Sequence, residues 1–178
     1  MNIPNAITSL RIILVPIFLS LLARDLYTSS LCIFFIAGLT DALDGMLARG
    51  LDEETPLGTF LDPLADKMLI TSTYALLTYK RLIPKWLGTT VISRDLMVIL
   101  GFFFLLIFRK DIKPKPTSLG KMSMVSQVLT VLLALIDKIW LVGNSIKMAF
   151  FTSTFFFTAA SGIQYVFIGL KVFNPSRT

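Results

Sequence analysis

Six apolar stretches, each about 20 residues long and parted by short polar turns, leave this chain few ways to fold. They run over about 6–23, 30–49, 56–79, 86–108, 118–142 and 147–173. About 20 mostly apolar residues are what an α-helix needs to cross the hydrocarbon of a bilayer. In lipid a backbone must satisfy its own hydrogen bonds, which a helix does locally. The pattern predicts an all-α integral membrane protein with six transmembrane helices, folded as a single domain over 1–178. Composition agrees, since 54% of the residues are hydrophobic and mean hydropathy is +0.76. There is no internal repeat and no low-complexity linker.

Four carboxylates interrupt this lipid-compatible sequence. Asp41-Ala-Leu-Asp44-Gly45-Met-Leu-Ala48-Arg49 closes the second stretch, and Gly58-Thr-Phe-Leu-Asp62-Pro-Leu-Ala-Asp66 opens the third. On helices, Asp41 and Asp44 are i, i+3 and Asp62 and Asp66 are i, i+4, so each pair shares a face. The turn between them is short and acidic, and Thr55-Pro56 suits an N-cap and first helical residue. Helices joined this way are antiparallel neighbours, which sets the four acids at one depth near one membrane face. Pro63 predicts a kink or a freed carbonyl near Thr59. Each charge at mid-helix costs about 2.5–3.5 kcal/mol, so four cost ~10 kcal/mol. Divalent cations would offset that cost. The chain has no histidine, so any metal is held by oxygen, which favours magnesium, manganese or calcium over zinc.

Other readings stand beside this one. Separate ion pairs would need more cations than the nearby Arg49 and Lys67. A transporter also carries intramembrane acids, but commonly with counterparts in both halves; here the second half has none. A structural subunit would not explain four aligned acids. Gly45 and Ala48 suit close helix packing and equally the approach of a nucleotide to the backbone.

The net charge of +6 is spread between apolar runs, without a basic stripe interleaved with exposed aromatics, so nucleic acid is not an expected partner. Anionic membrane lipid or a phosphorylated substrate is. Arg94, well inside the fourth stretch, and Lys121, early in the fifth, are candidates for a pocket that takes an anionic acceptor. The plainer readings are an internal ion pair with an acid such as Asp95 for Arg94 and an interfacial snorkel for Lys121. Phe151 and Phe155 to Phe157 read as lipid-facing or packing residues. The lone Cys32 reads as a buried inert thiol. With six spans the termini share a side. Arg49, Arg109, Lys110, Lys113, Lys115, Lys121, Lys171 and Arg177 then face Arg24, Lys80, Arg81, Lys85, Lys138 and Lys147, a slight bias that sets the acids on the cytoplasmic side. The N-terminus lacks the pattern of a signal or transit peptide.

The spacing DxxDGxxAR, eight residues, then GxxxDxxxD resembles the signature of the CDP-alcohol phosphotransferase (CDP-alcohol phosphatidyltransferase) family. It matches at Asp41, Asp44, Gly45, Ala48, Arg49, Gly58, Asp62 and Asp66. The resemblance implies a two-metal site of Mg2+ or Mn2+ held by Asp41, Asp44, Asp62 and Asp66, with Asp66 also the base for the acceptor hydroxyl. It implies that Gly45, Ala48, Arg49 and Gly58 line the CDP moiety. The implied reaction is attack by an alcohol on the β-phosphorus of a CDP-linked donor, releasing CMP. Ile3 to Arg11 and Leu61 to Lys67 resemble both phosphatidylglycerophosphate synthases and eukaryotic-type cardiolipin synthases. Ser93-Arg94-Asp95 leans to the second group and Gly120-Lys121 to the first. The resemblance thus implies CDP-diacylglycerol as donor and glycerol 3-phosphate as acceptor, with phosphatidylglycerol the alternative. Arg94 and Lys121 would meet the acceptor phosphate. A homodimer in the bacterial inner membrane, its site facing the cytoplasm, is the expected setting.

Overall fold

The computed structural model describes the backbone of residues 3–38, 56–108 and 117–173 and the side chains of 13–38, 67–101 and 117–170. Among the described residues all regular structure is helical. The helices are α1 (Ile3–Ala23), α2 (described over Tyr27–Gly38), α3 (Pro56–Tyr79), α4 (Lys85–Phe108), α5 (Ser118–Ile139) and α6 (Asn144–Phe173). α5 and residues Asn144–Leu170 of α6 are long and apolar enough to cross a membrane. Together with the outward apolar surface described below, they mark a membrane protein.

Helix ends follow local chemistry. Pro56 opens α3, as its fixed φ and missing N–H suggest. α3 then runs unbroken through Pro63 to Tyr79, and α1 runs through Pro16. Both α1 and α3 stop in the same way. The Leu26 amide donates to the Leu21 carbonyl and the Asp25 amide to Leu22, with Asp25 at φ 62°. The Leu82 amide donates to Leu77 and the Arg81 amide to Thr78, with Arg81 at φ 60°. This is the paired 6→1 and 5→2 closure around a left-handed residue that ends many helices. Glycine usually takes that position; here Asp25 and Arg81 take it, and both helices end where their apolar stretches were expected to end, at Ala23 and Tyr79.

Four boundaries differ from expectation by about one turn, the first being that of α1, which begins at Ile3, ahead of residue 6. α2 begins at Tyr27, before residue 30, because the Ser30 amide and hydroxyl both donate to the Leu26 carbonyl. α5 ends at Ile139, short of 142. α6 begins at Asn144, ahead of 147, because the Gly143 carbonyl accepts from the Ile146 and Lys147 amides.

Large apolar side chains lie on the outside as well as in the core, and small polar side chains are buried among those of the core. Exposed positions include Phe35, Leu100, Leu129, Phe156 and Phe167, whereas Ser123, Gln127, Thr130, Thr154, Thr158 and Ser161 are buried. With lipid outside, apolar surface gains little by turning inward, and polar side chains gain by pairing between helices. Cys32 is a correction of this kind: it is exposed, not buried, because its face of α2 points outward. Phe151 is buried, Phe155 sets its ring edge-on to Trp86 at 5.4 Å, and Phe156 faces out.

Two compact units form. One contains Met1–Leu76 and Ala134–Leu141, with Phe18, Leu22, Phe34 and Tyr74 in its core. The Phe18 and Phe34 rings lie 5.4 Å apart there. The other contains Leu77–Leu133 and Val142–Thr178. In it α4 packs on α6, around Leu87 and Val91. Gly88 meets α3 so closely that an added Cβ would fall on the Thr78 side chain, so only glycine fits there.

Candidate active site

α3 carries half of the acidic signature. Gly58, Asp62 and Asp66 all lie in its first three turns. Asp62 and Asp66 are separated by four residues of continuous helix, a rise of about 6 Å. The side chains of Gly58, Asp62 and Asp66 lie outside those described; in a chain without histidine, carboxylate oxygen is the donor chemistry that hard divalent cations take. The donor chemistry therefore fits magnesium or manganese. Asp41, Asp44, Gly45, Ala48 and Arg49 lie outside the described residues, as does the Arg109 to Pro116 loop.

A second polar centre lies in the unit formed by α4, α6 and most of α5. Arg94 is buried at 8% exposure and Asp95 at 2%. Arg94 Nη1 donates to Asp95 Oδ1 at 2.6 Å, and Arg94 Nη2 donates to Ser161 Oγ at 2.7 Å. The guanidinium carbon lies 5.4 Å from the centre of the Tyr165 ring. Arg94 Nε is buried and has no hydrogen-bond partner among the described residues. A guanidinium has five N–H donors, so two committed bonds leave it capacity for another anion. Arg94 also lines a groove of about 540 Å³ between α4 and α6, with Thr90, Ser93, Met97, Thr158 and Gly162. The ion-pair reading of Arg94 is thus borne out, with its own sequence neighbour as the acid. The partially used fork leaves the acceptor reading open.

Lys121 is exposed in the first turn of α5. Thr117 caps that turn: its Oγ1 accepts from the Gly120 amide at 3.0 Å, and its carbonyl accepts from the Lys121 amide at 3.0 Å. A Cβ on Gly120 would lie 3.0 Å from both Thr117 Oγ1 and the Tyr165 hydroxyl oxygen. Tyr165 therefore touches the surroundings of both expected cations. Neither Ser161 nor Tyr165 stands out in the sequence. The available signal is two polar residues at i, i+4 within the aromatic run of α6.

Comparison with known proteins bears on what this arrangement does. The family model for CDP-alcohol phosphatidyltransferase matches residues 1–165. Human cardiolipin synthase (CMP-forming) is 36% identical over 96% of this chain and 62% of its own length. The CDP-diacylglycerol–glycerol-3-phosphate 3-phosphatidyltransferase of Bacillus subtilis is 31% identical, covering 92% of this chain and 93% of its own. The Aquifex aeolicus enzyme of the same name is 34% identical over 74% of each. The chain thus spans under two thirds of the length of the human protein and nearly all of the Bacillus one.

Proposed function

The chain belongs to the CDP-alcohol phosphatidyltransferase family, and from that premise we propose that it transfers a phosphatidyl group from CDP-diacylglycerol to glycerol 3-phosphate. The products are phosphatidylglycerophosphate and CMP. The observation that carries this reading is the family match over 1–165, within which the aspartate signature is complete. The near full-length likeness to the Bacillus subtilis enzyme supports the choice of acceptor. A second reading takes phosphatidylglycerol as acceptor, as a cardiolipin synthase. The human relative, at 36% identity over 96% of this chain, favours it.

In this reading the whole chain acts as one catalytic domain of six transmembrane helices. Asp41, Asp44, Asp62 and Asp66 hold two divalent cations, Mg2+ or Mn2+. Bound there, the cations would neutralise the donor pyrophosphate and the charge that develops on departing CMP. Gly45, Ala48 and Gly58 give the CDP moiety close access to backbone, and Arg49 pairs with its phosphates. The acceptor hydroxyl gives its proton to Asp66 as its oxygen bonds to the β-phosphorus. Arg94 and Lys121 hold the phosphate of the acceptor, so orientation supplies much of the acceleration. A homodimer in a bacterial inner membrane, with the aspartates at the cytoplasmic face, completes the reading.

The test is CMP release by the full chain in mixed micelles with magnesium and CDP-diacylglycerol, with each acceptor in turn. Release with glycerol 3-phosphate alone supports the first reading, and release with phosphatidylglycerol alone supports the second. Asp62→Asn and Asp66→Asn should each lower the rate by at least about a hundredfold while membrane insertion stays normal. Activity surviving in both variants would overturn the assignment of the reaction to the aspartates.

A further inference from the structure

Arg94 sits on α4 and Lys121 on α5, so their usefulness to one small anion depends on something that sets the two helices in register. One side chain reaches both neighbourhoods. The Tyr165 ring lies 5.4 Å from the Arg94 guanidinium carbon, within cation–π range. The Tyr165 hydroxyl lies 3.0 Å from where a Cβ of Gly120 would be, and its Cε2 lies 3.5 Å from the same point. Gly120 is the residue immediately before Lys121. Ser161, one turn earlier on α6, takes a hydrogen bond from the same guanidinium. Two successive inward positions of α6 therefore grip Arg94, and the second of them also abuts the first turn of α5.

We propose that Tyr165 is a positioning residue that registers Arg94 and Lys121 for the phosphate of the acceptor, with its ring against the guanidinium and its hydroxyl packed on Gly120. The inference rests on the acceptor-pocket reading above and deepens it. A guanidinium with one hydrogen bond to Asp95 and one to Ser161 can still tilt about its long side chain. An aromatic ring beside it restricts that tilt. The same ring spaces α6 from the start of α5, and it does so only because residue 120 has no side chain. A methyl at 120 would press on the phenolic oxygen and on Thr117 Oγ1.

The test uses the full chain in mixed micelles, with whichever acceptor supports CMP release. Tyr165→Leu should raise the acceptor KM about tenfold, the scale of a desolvated cation–π contact. It should leave kcat and the CDP-diacylglycerol KM within about twofold. Tyr165→Phe keeps the ring and should retain an acceptor KM near the parent value. Gly120→Ala should raise the acceptor KM, and adding Tyr165→Phe should recover part of the loss by removing the oxygen that the methyl meets. This pair carries the test if Tyr165→Leu does not fold. Equal effects of Tyr165→Leu on kcat and both KM values, or no effect, would overturn the proposal, as would a Gly120→Ala defect that Tyr165→Phe leaves untouched. Arg94→Gln separates the two levels. If it raises the acceptor KM while Tyr165→Leu does not, only the positioning role fails. If it leaves the acceptor KM unchanged, the pocket reading fails with it.

Discussion

Tyr27 and Asp25 close the turn between α1 and α2 on themselves. The Tyr27 hydroxyl donates to Asp25 Oδ1, two residues back, while Asp25 holds a left-handed backbone. The hydrogen bond from Tyr27 to the Asp25 carboxylate, helped by partial burial and the carboxylate's charge, pushes the Tyr27 phenol up to about 12. The folded value is raised above the ordinary 10, so the contact supports the turn fully below about pH 10 and loses that support as pH rises towards 12. An absorbance titration of tyrosinate in micelles should show a component ionising at about pH 12, and Asp25→Asn should bring that component back towards 10. Asparagine tolerates the left-handed conformation, so the variant isolates the electrostatic part. Arg94 shows the limits of reading single residues. A cation inside an apolar run predicts a partner, and one exists. That the partner is Asp95, with Ser161 and Tyr165 beside it, depends on side-chain directions and on a helix 67 residues further along the chain.

α5 and α6 meet along a seam of small polar side chains, and its energetics belong to the element. Ser123 pairs with Thr158 at 3.2 Å, and Gln127 Nε2 donates to both at 3.3 Å. Further along, Thr130 and Thr154 hydroxyls pair at 2.7 Å, and Thr154 also donates to the Ser126 carbonyl at 3.0 Å. Early residues of α5 meet late residues of α6, so this pairing is antiparallel. Hydrogen bonds between membrane helices average about 0.6 kcal/mol and reach about 1.7 kcal/mol. Thr154→Val removes the donor of one bond and a partner of another while keeping shape, and should cost about 1–2 kcal/mol, read as a lower midpoint of unfolding in mixed micelles. The existence, order and type of the helices were legible from apolar length and turn residues. The ends at Ala23 and Tyr79 were legible too, whereas the starts of α1, α2 and α6 and the end of α5 moved by about one turn, since local contacts such as those to the Leu26 and Gly143 carbonyls extend a helix such as α2 or α6 past its apolar run.

For the whole molecule, the family match over 1–165 and the oxygen-only donor set lead to one further expectation. Dialysis against EDTA should abolish CMP release, and magnesium or manganese should restore it, with helix content by circular dichroism unchanged throughout. Helix content that collapses on chelation would mean that any metal serves folding and not the reaction. The acidic signature and the family were legible in the sequence because their information is one-dimensional: residue type at fixed spacing along α3 and the stretch before it. So was the helical class, since a run of about 20 apolar residues in lipid has no other local solution. Tertiary structure alone decided which faces meet. An apolar run that packs on one side and touches lipid on the other is apolar all round, so its composition does not say how each helix is turned about its axis. That rotation sends Cys32 outward, aligns the α5–α6 seam, and brings Tyr165 against both Arg94 and Gly120.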